Sequence, residues 1–325
     1  MVLNRLVECS WKGARRQVAA QPREYSSAPP WGTVPGMVTG RAQTERRLRL
    51  AAFAKVNLAL EVTARRADGF HNLDTVFLVI DWADTVTVEL TTDPGQVVVT
   101  VEGSAATAGM AAGDALLARA ARGALAGTGA GARIHLVKDI PVGAGLGGGS
   151  ADAAAVLRAV ARLTGRDVDP DLAERLGSDV PALVLGGASR GRGRGELLSP
   201  LPVPPLHLAV AVAGVAATAA VYAACEPDDL RSDGRAAAVA RALETGHTPP
   251  DELLGSALEA PARRACPALA AGLDRLRATT PGTRWHLTGS GGAAFSLAAT
   301  AAAASTLVAA VRAAGLAARA CVPAG

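Results

Sequence analysis

Apolar residues crowd the stretch "LRLAAFAKVNLALEVT" from Leu48 to Thr63, and their partial alternation predicts a strand or a hairpin. Two further β-rich runs, "ADTVTVELTT" and "QVVVTVEG", flank Asp93-Pro94-Gly95, a turn signal. A helix is expected over Asp114–Leu125. In "ARIHLVKDI", Ile134 and Leu136 alternate with Arg133 and His135, the mark of a half-exposed strand. Ala153, Val156, Leu157 and Val160 then share one face of a helix expected over Ser150–Leu163. Asp169-Pro170 opens a short helix that ends near Gly177.

Beyond a Pro-rich join, "LSPLPVPPL", come the strand "HLAVAVA", a helix over 218–224 and a polar loop near 226–235. Helices lead on to the strand "RWHLTG", a glycine turn "GSGG", the strand "AAFSL", a helix over 299–314 and a last strand "ARACV". Polar and apolar positions alternate in several of these strands. That argues for antiparallel or mixed sheets with helices, an α+β fold, rather than a parallel sheet buried on both faces. The Pro-rich join divides a first unit, 46–198, from a second, 199–325. Residues 1–45 have no periodicity and are rich in Pro, Gly, Ser and Arg. They read as a disordered extension, as translation begun upstream of a start at Met37, or as an Arg/Ser-rich targeting peptide.

Composition narrows the picture. The 325 residues are half hydrophobic but only 3% aromatic, so the core must be packed with Ala, Val and Leu. The net charge of +4 owes much to arginines near the N-terminus, and no aromatics interleave with a basic stripe. A nucleic-acid partner is therefore not expected. The four cysteines lie far apart, with neither zinc spacing nor a disulfide framework, which points to a reducing, cytoplasmic setting, or to a plastid if the extension is a transit peptide. The apolar run Leu208–Cys225 contains Gly214 and Thr218 and lacks the Leu, Ile and Phe of a membrane span; it is expected to be a strand followed by a helix.

Candidate chemistry centres on "PVGAGLGGGSADAAAVL", Pro141–Leu157. Glycines ahead of a helix let backbone N–H groups curl around an anion, and the helix start adds about half a positive charge. Ser150 could cap the helix, touch a phosphate or meet a metal-bound water. The spacing Gly143-x-Gly145-x-x-Gly148 also fits a dinucleotide-binding fingerprint, but the strand before it is half polar and Pro141 interrupts the join. No Lys-Ser/Thr pair follows, so it is not a Walker A loop. Lys55 sits inside an apolar strand, where it reads either as a snorkelling edge lysine or as a buried cation facing a carboxylate or phosphate. Asp179, in "GSDVP", reads as a helix N-cap or as a general base.

Taken together, "AKVNLALEV" (54–62), "RRADGFHNLDTVF" (65–77), "PVGAGLGGGSADAA" (141–154), "GSDVP" (177–181), "GRGRGE" (191–196) and "LTGSGGAAF" (287–295) resemble the GHMP kinase superfamily, in the family's order. The segment "DGFHNL" resembles the branch whose acceptor is a cytidine diphosphate bearing a methylerythritol group. The resemblance covers the chain from about Arg47 onward. It implies a two-domain kinase with the active site in the cleft between domains, using ATP and Mg2+ on a small-molecule acceptor, with neither nucleic acid nor membrane as partner, as a monomer or homodimer. No protein metal ligand is implied.

By the same resemblance, the ATP phosphates would lie on Pro141, Gly143, Gly145, Leu146, Gly147, Gly148, Gly149 and Ser150, with Lys138 near the nucleotide. Lys55 and Asp179 would be the catalytic pair, Asn57 an acceptor-side residue, and Phe70 and His71 the holders of cytosine. Gly289, Ser290, Gly291 and Gly292 would form the turn that closes on the site. The chain departs from the family pattern at Phe70, commonly Tyr, at Asn72, commonly Glu, and at Ala151, commonly Ser. A frequent Asn-Asp-Leu-Glu segment stands here as "SALE", 256–259, so no polar role is expected of Ser256 or Ala257.

Phosphoryl transfer needs two oxygens in line and compensation for the charge on the moving group. A carboxylate near the attacking hydroxyl is the simplest proton acceptor, and an ammonium beside it favours its ionised form. Competing expectations are a mevalonate- or homoserine-type kinase, a nicotinamide-dependent oxidoreductase using the same glycines, and a non-catalytic ligand sensor. The Arg-Gly run at 190–195 reads equally as a basic wall for a diphosphate or as a flexible turn.

Overall fold

The computed structural model describes residues 46–105, 111–230 and 232–324. The expectations for residues 1–45 lie outside them.

The apolar stretch after Leu48 becomes one continuous strand, β1 (Arg47–Arg65), paired antiparallel with β2 (His71–Thr91) in a long hairpin. Register shifts fall between Phe53 and Lys55 and between Asn57 and Ala59. Irregularities of this kind re-aim side chains, and these two bracket Lys55 and Asn57. β3 (Val97–Glu102) follows the Asp93-Pro94-Gly95 turn but does not pair with β2. After α1 (Ala111–Ala124), β4 (Gly131–Val137) slides between them, parallel to β3 and antiparallel to β2.

The glycine loop leads into α2 (Gly148–Thr164), then α3 (Pro170–Leu176) and α4 (Val180–Leu185). α2 begins two residues before Ser150, because Gly147, in the left-handed conformation, takes the N-cap position. β5 (Ala188–Gly193) and β6 (Leu197–Leu201) complete this half. The Arg-Gly run is thus largely strand, with Gly191 opposite Thr75 of β2.

The second half contains β7 (His207–Val212), α5 (Thr218–Ala223), α6 (Arg235–Glu244), the two-residue β8 (Gly255–Ser256), α7 (Glu259–Ala265) and α8 (Pro267–Thr279). It ends with β9 (His286–Leu287), β10 (Ala293–Ala298), α9 (Ala301–Ala313) and β11 (Ala318–Cys321). β9 is shorter than the expected strand. One mixed sheet runs β3-β4-β2-β1-β8, with β5 on β2 and β6 beyond it; an antiparallel sheet runs β11-β7-β10-β9. The α+β class with mixed and antiparallel sheets follows.

The helices α1 to α4 cover one face of the first sheet. Val156, Leu157 and Val160 of α2 meet Val86, Ile134 and Leu136 there. Each such side chain contributes roughly 1.5–3 kcal/mol by leaving water. A second core joins the two sheets: Val56, Leu58 and Leu78 pack with Leu208, Val210 and Phe295. The apolar run Leu208–Cys225 forms most of β7 and all of α5, and among the described residues no helix is long and apolar enough to cross a membrane.

Candidate active site

Lys55 does not snorkel: it is 4% exposed. β8 pairs β1 only at Ala59 and Leu60, and the free side of the strand at Lys55 is covered by the glycine loop. Its ammonium reaches Asp179 Oδ2 at 3.1 Å and donates to Asn57 Oδ1 at 2.8 Å. Asn57 Nδ2 donates to Thr75 Oγ1 at 2.8 Å, and that hydroxyl donates to the Ala59 carbonyl at 2.7 Å. The chain of bonds holds the Asn57 amide with its oxygen toward Lys55. Asp179 occupies the N-cap position of α4, yet its side chain makes no capping bond. Its side chain is 31% exposed, so one edge of the carboxylate is open to a ligand.

The glycine loop lies directly on this pair. The Lys55 N–H donates to the Leu146 carbonyl at 3.0 Å. A side chain on Gly147 would start 3.1 Å from Cγ and Cε of Lys55, so only glycine allows this approach in a backbone with φ of 72°. Gly143 and Gly145 share that left-handed conformation. No side chain caps α2, which leaves the first-turn amides of a 17-residue helix free for an anion. Of the loop residues, Gly149 and Ser150 are at least partly exposed, whereas the Leu146 side chain is core and only its backbone faces the site.

The second glycine turn closes against the first. A side chain on Gly145 would strike the Gly291 carbonyl. The Asn57 N–H donates to Thr288 Oγ1 at 2.7 Å, and Gly289 lies against Asn57 and the Lys55 ammonium. The Ser290 hydroxyl meets that of Thr218 at 2.9 Å. Ser256, expected to be idle, donates to the Gly289 carbonyl at 2.7 Å and so props this turn.

Lys138 lies beneath the start of α2, where a side chain on Gly148 would come within 3.4 Å of its ammonium. It is 2% exposed, bonded to Asp84 and, at 2.8 Å, to Asp152. It is spent on two carboxylates and is not an open cation for a nucleotide. Burial works against its charge, but the carboxylates prevail and raise it above the ordinary lysine range. Asp84 also accepts the N–H groups of Asp139 and Ile140, at 2.6 and 2.8 Å. The trio therefore anchors both the entry to the loop and the first turn of α2. Asp152 Oδ1 has no partner among the described residues, and burial pushes this carboxyl up to about 7 against the pull of Lys138.

Phe70 and His71 sit at the tip of the β1–β2 hairpin, where the Arg66 N–H donates to the Phe70 carbonyl at 2.8 Å. The Phe70 ring is 51% exposed, with the Arg194 guanidinium 5.0 Å from its centroid. His71 is buried, and burial followed by the charge of Arg65 lowers it below the ordinary histidine range. Its ring stacks on Tyr222 of α5, centroids 5.1 Å apart. Arg190 makes two bonds to Asp74, at 2.8 and 2.6 Å, and so braces β5 against β2. Thr75, Asp152 and Thr288 lie inside the quoted motifs but are not distinguished there from their neighbours, and Asp84 and Tyr222 lie outside them. Among the described residues no three His, Cys, Asp or Glu side chains gather to hold a metal.

The strand that follows the loop and its helices, β5, pairs antiparallel with β2 and β6 and not with β4, so the loop does not sit in the parallel unit a dinucleotide fingerprint requires. The family description "GHMP kinases N terminal domain" matches residues 106–187. A 4-diphosphocytidyl-2-C-methyl-D-erythritol kinase of Thermus thermophilus is 42% identical over 248 residues, 75% of this chain and 86% of its own. One from Xanthomonas campestris is 41% identical over 249 residues, 74% of this chain and 79% of its own. The crystal structure of a 4-(cytidine 5'-diphospho)-2C-methyl-D-erythritol kinase matches with a TM-score of 0.68 and 40% identity, over 86% of this chain and 100% of that one. A mevalonate kinase of L. major, 18% identical with a TM-score of 0.63 over 86% of this chain and 97% of its own, shares the fold. Fold and glycine loop are those of a GHMP kinase. Within that class, the chain belongs to the 4-diphosphocytidyl-2-C-methyl-D-erythritol kinase family.

Proposed function

We propose that this kinase transfers the terminal phosphoryl group of ATP to the 2-hydroxyl of 4-diphosphocytidyl-2-C-methyl-D-erythritol, a step in isoprenoid precursor formation. The observation that carries it is the Lys55–Asp179 pair at 3.1 Å, set against the glycine loop with one carboxylate edge open. The acceptor oxygen forms its bond to phosphorus, its proton passes to Asp179, and ADP leaves with the electrons of the broken P–O bond. Lys55 holds Asp179 in aim, and Asn57 holds Lys55. The N–H groups of Gly148, Gly149 and Ser150 and the start of α2 take up phosphate charge. Mg2+ would arrive on the ATP phosphates and offset their charge, and the Ser150 hydroxyl would be available to hold it or its water.

Phe70 offers a face on which a base can stack, and His71 offers a neutral ring for its edge. We divide the chain at 198–199, within β6, and place the reaction where the two halves meet. The test is ATP turnover with the cytidylyl acceptor beside mevalonate and homoserine. Turnover confined to the cytidylyl compound is expected; preference for either of the others overturns the assignment.

A further inference from the structure

The glycine turn beside Lys55 is pinned by a residue that belongs to neither glycine loop. Thr288–Gly291 is a β-turn, closed by the Gly291 N–H on the Thr288 carbonyl at 3.1 Å. Its central peptide joins Gly289 to Ser290, and the Gly289 end lies against the Lys55 ammonium and the Asn57 amide. Gly289 has φ of 58° and no Cβ, so this peptide is free to rock about its flanking bonds. Ser256 holds it. This serine is buried, and its oxygen accepts the Leu258 N–H at 3.1 Å, so its one proton goes to the Gly289 carbonyl at 2.7 Å. Ser256 is itself fixed: β8 lies on β1 with Ser256 opposite Leu60, and the Ala257 N–H donates to the Leu60 carbonyl at 2.8 Å. In a trans peptide the carbonyl and the N–H point opposite ways. Tying the Gly289 carbonyl to β8 therefore aims the Ser290 N–H away from β8, and among the described residues that N–H has no acceptor. The strand that carries Lys55 thus also sets, through β8, the direction of an unused donor next to it.

We propose that Ser256 is a positioning residue of the phosphoryl transfer: by holding the Gly289–Ser290 peptide in one orientation, it directs the Ser290 N–H at the phosphoryl group in transit, whose charge has to be offset. The inference rests on the reaction proposed above, but not on which acceptor takes the phosphoryl group.

The experiment compares Ser256→Ala and Ser256→Thr with the wild-type enzyme. The readouts are kcat, KM for each substrate, and inhibition by ADP with and without aluminium fluoride, which mimics the group in transit. Ser256→Ala removes the pin. Its kcat should fall about tenfold, the upper reach of one neutral hydrogen bond, with both KM values and inhibition by ADP alone unchanged. Inhibition by ADP with aluminium fluoride should weaken by the same factor as kcat. Ser256→Thr keeps the hydroxyl and should restore the wild-type kcat. A merely structural role would lower the melting midpoint and leave kcat per folded molecule where it was. Should Ser256→Ala not fold, Ser256→Cys, of the same shape but a weak donor, carries the same expectation. A Ser256→Thr variant as slow as Ser256→Ala overturns the proposal, as does ADP alone weakening as far as ADP with aluminium fluoride. Wild-type enzyme that phosphorylates none of the three acceptors overturns the assigned reaction and this inference with it. Normal wild-type turnover with an unaffected Ser256→Ala overturns the inference alone.

Discussion

Two buried lysines flank the glycine loop, and they do opposite work. Lys55 and Lys138 are 4% and 2% exposed, and each faces carboxylate. Lys55 meets one carboxylate whose far edge is open. Lys138 meets two that are shut away, with side chains 0% and 2% exposed. A charge pair with an open edge can trade a proton or a phosphate with a ligand. A sealed one can only hold its surroundings in place. Burial of a lysine beside a loop is therefore no guide to chemistry; the exposure of its partner is.

The largest effect that sharpens this contrast is expected from Lys138→Met. It leaves Asp84 and Asp152 buried without a cation, at a cost of roughly 3–5 kcal/mol. Denaturant melts should show that loss, while kcat per folded molecule stays within a few-fold. Next comes Asp179→Asn, which should lower kcat about a hundredfold or more with a smaller loss of stability than Lys138→Met, because Asp179 is partly exposed and Lys55 keeps the Asn57 oxygen. Lys55→Ala should match it in kcat. A wild-type rate in either variant would break the assignment of the open pair.

The smallest effect is a slope. Asp152 binds its proton more tightly folded than unfolded, so its contribution to stability is full below the ordinary carboxylate range. That contribution fades as pH rises to about 7. Asp152→Asn should flatten that decline in Tm measured from about pH 4 to 8; an unaltered slope would show that the proton lies elsewhere.

Much of this was legible in the chain itself. The β-rich runs, the helix after the glycines and the α+β class follow from period and punctuation, and Lys55 and Asp179 stand in short motifs. What the linear pattern hides is which distant partner each residue finds. β3 follows its turn as a hairpin strand would, yet β4 takes the place beside β2, because strand insertion is decided by pairings dozens of residues apart. Lys138 looks like a loop cation until Asp84 and Asp152, from two other elements, are folded around it. Tyr222 lies in an Ala-rich helix of six residues and gains meaning only from His71, some 150 positions earlier.

The first sheet is not finished by the first half of the chain. β8 supplies its edge beside β1, and near the C-terminus Val322 and Ala324 bond to Asp81 and Val79 of β2. On the ribosome, β1 therefore waits with an unpaired apolar border until residue 256 has been made, and β2 waits for almost the whole message. A fragment cut at the Pro-rich join lacks both partners and carries a sticky margin that invites aggregation.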